Sequence, residues 1–139
     1  MSDVMSLAEK LIDKAKTVVV ASLDARGNPD MRAMLAPRHR EGLAQFWLTT
    51  NTSSSKVAEF EANPNAALYF FDEFHFTGLT LYGTMETLRD EASRKLIWKT
   101  GDRMFYKEGV NDPDYTVLRF TATRGRFYKS QHVTVFEVS

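Results

Sequence analysis

From Leu79 to Glu86 the chain alternates without a break: Leu79, Leu81, Gly83 and Met85 take turns with Thr80, Tyr82, Thr84 and Glu86. Successive side chains point to opposite faces only in an extended strand, so this segment belongs in a sheet with one face covered. Strands need partners, and the sequence offers them. Thr17–Leu23 is a β-branched run, and beyond the turn cluster Ala25–Pro29 the stretch Asp30–Ala36 reads as the returning arm of a hairpin. Leu43–Thr49, Tyr115–Ala122 and His132–Val138 are further strands, and Ala66–Phe71, apolar at every position, predicts a strand covered on both faces.

Helices fall between them. Val4, Leu7, Ala8, Leu11, Ile12 and Ala15 form one apolar stripe at helical spacing. A short helix over 54–62 draws on Val57, Ala58 and Phe60 and is stopped by Asn63-Pro64. A third, over 90–99, has Ala92, Leu96 and Ile97 on one face, and Gly109–Asp114 is a loop by composition. At 139 residues the chain is one domain, residues 1–139. Six or seven strands with helices inserted among them predict a mainly β fold, a mostly antiparallel β-barrel with peripheral helices.

Several chemistries are excluded at once. The chain has no cysteine, so disulfides, thiolate metal sites and cysteine nucleophiles are out. His39, His75 and His132 stand apart, with no metal-ligand spacing; Phe74-His75-Phe76 sets one histidine among aromatics, a weak haem-ligand signal. No nucleophile elbow, Walker loop or dinucleotide glycine fingerprint is present. Arg119, Arg124, Arg126 and Lys129 interleave with Phe120, Phe127 and Tyr128, as in single-strand nucleic-acid binders. Eighteen basic residues against eighteen acidic ones favour the plainer reading, a polar strand face, and no nucleic-acid partner is expected. No apolar run approaches the roughly 20 residues of a membrane span, and the N-terminus carries no signal pattern. A cytoplasmic protein without membrane contact is the expectation.

Two places can carry chemistry. Ser53-Ser-Ser-Lys56 follows a strand and opens a helix, whose first N–H groups are unpaired and carry partial positive charge. Three hydroxyls and a lysine there make a phosphate cradle; alternatively, the serines merely cap the helix and the lysine is solvated. Leu48-Thr-Thr-Asn51, a polar strand end beside it, supplies a pocket rim. Arg32 stands in the otherwise apolar Met31–Leu35 stretch, turned either to solvent or into a cleft where its fork could grip an anion.

In order and spacing these elements resemble the pyridoxamine 5′-phosphate oxidase-like FMN-binding split barrels, in particular the short general stress protein branch. The resemblance runs through the opening helix, Asp24–Asn28, Met31–Leu35, the stretch Phe46–Lys56 with Asn63-Pro64, and Asp112–Phe120. It implies an FMN-binding split barrel, a homodimer with two flavin sites at its interface, and an oxidoreductase acting on an unidentified small molecule. The implied cofactor contacts are Arg32, Ala33, Met34 and Leu35 along the flavin, Thr49 and Thr50 near the ring and ribityl chain, and Ser54, Ser55 and Lys56 at the phosphate. The resemblance also leaves room for a non-catalytic flavin- or haem-binding, storage or stress-related protein. Two positions depart from the oxidase: its substrate-phosphate lysine corresponds to Pro37, and the glutamine that reaches the partner's flavin corresponds to Gly78. The C-terminus, Phe136-Glu-Val-Ser139, also lacks the oxidase ending, which argues against pyridoxamine phosphate as substrate.

Overall fold

In the computed structural model, which describes residues 2–139, the chain runs α1 (Ser2–Lys14), β1 (Thr17–Leu23), β2 (Pro29–Leu35), β3 (His39–Glu41), β4 (Gln45–Asn51), α2 (Ser55–Ala62), β5 (Asn65–Asp72), β6 (Thr77–Leu88), α3 (Glu91–Ile97), β7 (Tyr115–Lys129) and β8 (His132–Glu137). Two 3-10 turns, Thr100–Met104 and Gly109–Asn111, separate α3 from β7. There are eight strands where six or seven were expected. The addition is β3, whose residues His39-Arg-Glu41 carry no apolar signal and pair only because β4 lies alongside.

All pairings are antiparallel, in the order β2-β1-β5-β6-β7-β4-β3, with β8 also on β7. One edge of β7 takes β6. The other takes β4 from Tyr115 to Thr121 and β8 from Arg124 to Lys129, so the sheet divides there. The division falls at a β-bulge: Tyr82 pairs with Arg124 and Gly83 with Ala122, leaving Thr123 as the extra residue that bends the strand. Gly83 is required at this bend, because a Cβ would lie 1.9 Å from the Thr121 carbonyl oxygen.

The inner face of the sheet packs Val18, Val20, Leu68, Phe70, Leu79 and Leu81 with Ala8, Leu11 and Ile12 of α1, whose stripe lies as its spacing predicts. A second cluster gathers Trp47, Tyr106, Tyr115 and Val117 beneath α3. Here α3 buries Arg94 and Ile97 and leaves Ala92 and Leu96 exposed, unlike the expected face. The aromatic cluster sets that orientation: Arg94 lies over the Tyr115 ring and donates to the Val110 carbonyl (3.3 Å). Arg38 closes the cluster by gripping Asp102 with both terminal nitrogens, Nη2 at 2.8 Å from Oδ1.

The outer face is open. Register places Leu35, Thr17, Phe71, Gly78, Tyr128 and Val133 in one row across β2-β1-β5-β6-β7-β8. Ala33, Val19, Tyr69, Thr80, Arg126 and Val135 form the next. β5 is therefore covered on one face and not both: Phe71 is 44 % exposed and Leu35 66 %. The apolar run at 66–71 is compatible with a second covered face, but nothing within the protomer packs there.

Candidate functional site

β4 ends at Asn51 and α2 begins at Ser55, so the chain turns through Thr52, Ser53 and Ser54. The loop preceding β7 pins this turn. The Thr52 and Ser53 N–H groups donate to the Asp114 carbonyl (2.7 Å) and Oδ1 (2.8 Å), and the Thr52 hydroxyl donates to the Pro113 carbonyl (2.9 Å). Tyr106 holds the strand end from the side, its hydroxyl donating to Asn51 Oδ1 (2.7 Å).

Ser54 takes the N-cap position with extended backbone, φ −72° and ψ 148°, yet its hydroxyl does not cap the helix. Its Oγ is buried and has no hydrogen-bond partner. Simple capping therefore does not account for this serine. Two residues on, Lys56 donates from Nζ to Thr50 Oγ1 (3.0 Å). Burial, and after it the nearby Arg32 charge, pushes the Lys56 ammonium below its ordinary pKa.

Arg32 turns inward. β2 alternates with Met31, Ala33 and Leu35 on the open outer face, while Asp30, Arg32 and Met34 face the interior. The guanidinium donates from Nη1 to Ser22 Oγ (2.8 Å) and the Val20 carbonyl (3.3 Å), and its Nη2 lies 3.5 Å from Glu59 Oε1. The Ser22 hydroxyl donates to the same Glu59 oxygen, and this bond, foremost, holds the Glu59 carboxyl below its usual range. Asp30 shares a hydrogen bond with Glu59, which raises the Asp30 carboxyl. Lys56 and Glu59, three apart on α2, thus bring a cation to the end of β4 and an anion to the β1–β2 hairpin.

Of the expected site residues, Thr50, Ser54, Lys56 and Arg32 come together at the start of α2. Ser55 is the first residue of that helix, with an exposed side chain. Thr49 projects from the opposite face of β4, Ala33 and Leu35 project outward, and Met34 packs on the core. Sequence reasoning missed Glu59, Ser22 and Asp30. The three-residue spacing from Lys56 could have revealed Glu59; Ser22 and Asp30, cross-strand partners in the β1–β2 hairpin, carried no signal of their own.

The histidines lie elsewhere. His39 packs on Trp47 (4.9 Å between ring centroids), and His75 Nδ1 is 2.7 Å from Asp72 Oδ2. Among the described residues no cluster of three His, Cys, Asp or Glu could hold a metal. No described helix is long and apolar enough to cross a membrane.

A family model described as pyridoxamine 5′-phosphate oxidase matches residues 6–129. Among solved structures, a Clostridium acetobutylicum protein related to general stress protein 26 of B. subtilis, of the pyridoxinephosphate oxidase family, aligns with a TM-score of 0.90. It is 36 % identical, over 99 % of this chain and 96 % of that one. General stress protein 26 of Bacillus anthracis aligns at TM-score 0.76 and 14 % identity, over 95 % and 98 % of the two chains. A heme binding protein from Mycobacterium smegmatis aligns at TM-score 0.76 and 15 % identity, over 96 % of this chain and 57 % of that one. The last two are alike in fold. No curated protein matches the chain.

Proposed function

The chain belongs to the pyridoxamine 5′-phosphate oxidase family, and we propose that it is an FMN-binding oxidoreductase whose start of α2 holds the flavin phosphate. The observation that carries this reading is the Ser54 hydroxyl, buried and without a partner beside Lys56 and the positive end of a helix. A buried hydroxyl left unpaired costs about 1–3 kcal/mol, and a phosphate oxygen at this place offers it an acceptor. Lys56 supplies the charge, Thr50 holds the ammonium in position, and the first N–H groups of α2 supply further donors.

When bound, FMN supplies the hydride- and electron-accepting ring. Around it the chain would contribute the β2 backbone from Arg32 to Leu35, the contact that the family resemblance implies. Arg32 reaches a ligand only by exchanging its contact with Glu59. By the family resemblance Pro37 and Gly78 correspond to the oxidase's substrate lysine and its glutamine, which supports a substrate other than pyridoxamine phosphate. The apolar outer face, with Met31 69 % exposed and Phe76 62 %, supports a homodimer that brings two such sites to its interface.

The test is reconstitution with excess FMN, removal of free flavin, and titration of the Lys56→Ala variant. Wild type is expected to retain a stoichiometric flavin band. Losing one charge-assisted contact should weaken FMN by roughly 10- to 100-fold, the equivalent of about 1.5–3 kcal/mol. Equal affinity of variant and wild type overturns the phosphate assignment. Haem retained in place of flavin would favour the non-catalytic binding alternative.

A further inference from the structure

A cleft of about 190 Å³ shares no lining residue with the cluster at α2. It lies between α1, the turn joining β5 to β6, and the end of β7. Along α1, Lys10, Leu11 and Lys14 recur at helical spacing and face it together. Leu11 and Phe127, both buried, give it an apolar floor. Lys129, from the end of β7, lines it as well.

The ammonium groups at this rim stand outside ion pairs. Among the described residues, Lys10, Lys14 and Lys129 have no carboxylate within ion-pair distance, whereas Lys95, Arg40, Arg89 and Arg119 are each paired. The one carboxylate lining the cleft, Asp72, is engaged by His75, whose Nδ1 lies 2.7 Å from it and whose N–H donates at 3.2 Å. Three free ammonium groups over an apolar floor, in a chain of zero net charge, are a local arrangement and not a by-product of a basic protein.

We propose that this cleft binds a small organic anion, a monocarboxylate with a compact apolar body. The floor requires that body, and a rim of point-charge ammoniums attracts an anionic head without demanding a forked geometry. The volume falls below the roughly 300–1,000 Å³ of pockets for drug-sized ligands, which favours a small occupant. Benzoate has that size and chemistry.

Amide NMR titration at constant ionic strength tests this, with benzoate as probe and with benzyl alcohol and inorganic phosphate as the apolar-only and charge-only controls. Saturable shifts are expected with benzoate alone, centred on Lys14, Thr77, Phe127 and Lys129. The Lys10→Gln/Lys14→Gln variant should bind benzoate at least fivefold more weakly; Lys129→Gln, on a different element, should weaken it in the same direction. All three side chains are exposed, so the melting temperature should hold. The proposal is overturned if benzoate shifts do not saturate, if either control reproduces them, or if the variants bind as wild type does.

Discussion

Replacing Asp102 with asparagine would separate charge from shape at the joint between the second aromatic cluster and the sheet. Asp102 accepts both Arg38 terminal nitrogens and the Lys99 N–H (2.9 Å), with side-chain exposures of 14 % for Arg38 and 6 % for Asp102. Burial, the largest influence, raises the Asp102 carboxyl; the Arg38 guanidinium and the Lys99 N–H together outweigh it and hold the group below 3.8. Removing one partner of a buried pair costs about 3–5 kcal/mol. Asparagine keeps one acceptor oxygen, so the lower end applies, about 3 kcal/mol. For a chain of 139 residues that is a fall of about 10 °C in melting temperature. Calorimetry and urea titration read it directly, and a cycle with Arg38→Gln isolates the pair. A fall below about 3 °C, or a coupling near zero in the cycle, would refute the assignment. The pH dependence carries a sign. Because the folded carboxyl is depressed, its contribution is complete above 3.8 and is lost as pH drops through the lower folded value, so the variant should be insensitive there.

Three other outcomes are expected. Glu59→Gln removes the internal counter-charge of Arg32 and should tighten FMN severalfold in the reconstitution titration; equal or weaker binding would show that Glu59 does not compete with the ligand. Gly83→Ala drives a Cβ into the Thr121 carbonyl and should cost about 3 kcal/mol or more in urea unfolding; a change under 1 kcal/mol would mean the bulge relaxes freely. Leu35→Asp places a charge in the outer apolar row and should shift the proposed homodimer to monomer in sedimentation velocity, with melting temperature little changed because the side chain is exposed in the protomer.

The elements whose pattern is local were readable from the chain. β1 runs over the same residues as the β-branched stretch, β6 contains the alternating one, and the strand-to-helix turn at Ser54 and Lys56 lies where a helix start was expected. What failed, or was left open as for Arg32, was decided at a distance. β2 carries Met31 and Leu35 outward and Arg32 inward, against hydrophobicity, because the hairpin register and the carboxylate of Glu59 fix its faces. α3 turned Arg94 inward for the Tyr115 ring, which lies far along the chain. β7 continued past Ala122 because β8 offers its edge a partner just where β4 stops.

That exchange of partners on one strand also sets an order of assembly. The β1–β2 and β5–β6 hairpins close over short loops and can form early, on the microsecond scale of isolated hairpins. β4 cannot follow them: its ladder is with β7, and Gln45 meets Thr121 across 76 residues. Until that loop closes, Phe46 and Trp47 have only the three-residue β3 beside them and Leu48 has no strand partner. Non-local pairing of this kind belongs to the slower, millisecond-to-second folders, and the waiting strand is the segment most open to pairing with the wrong chain.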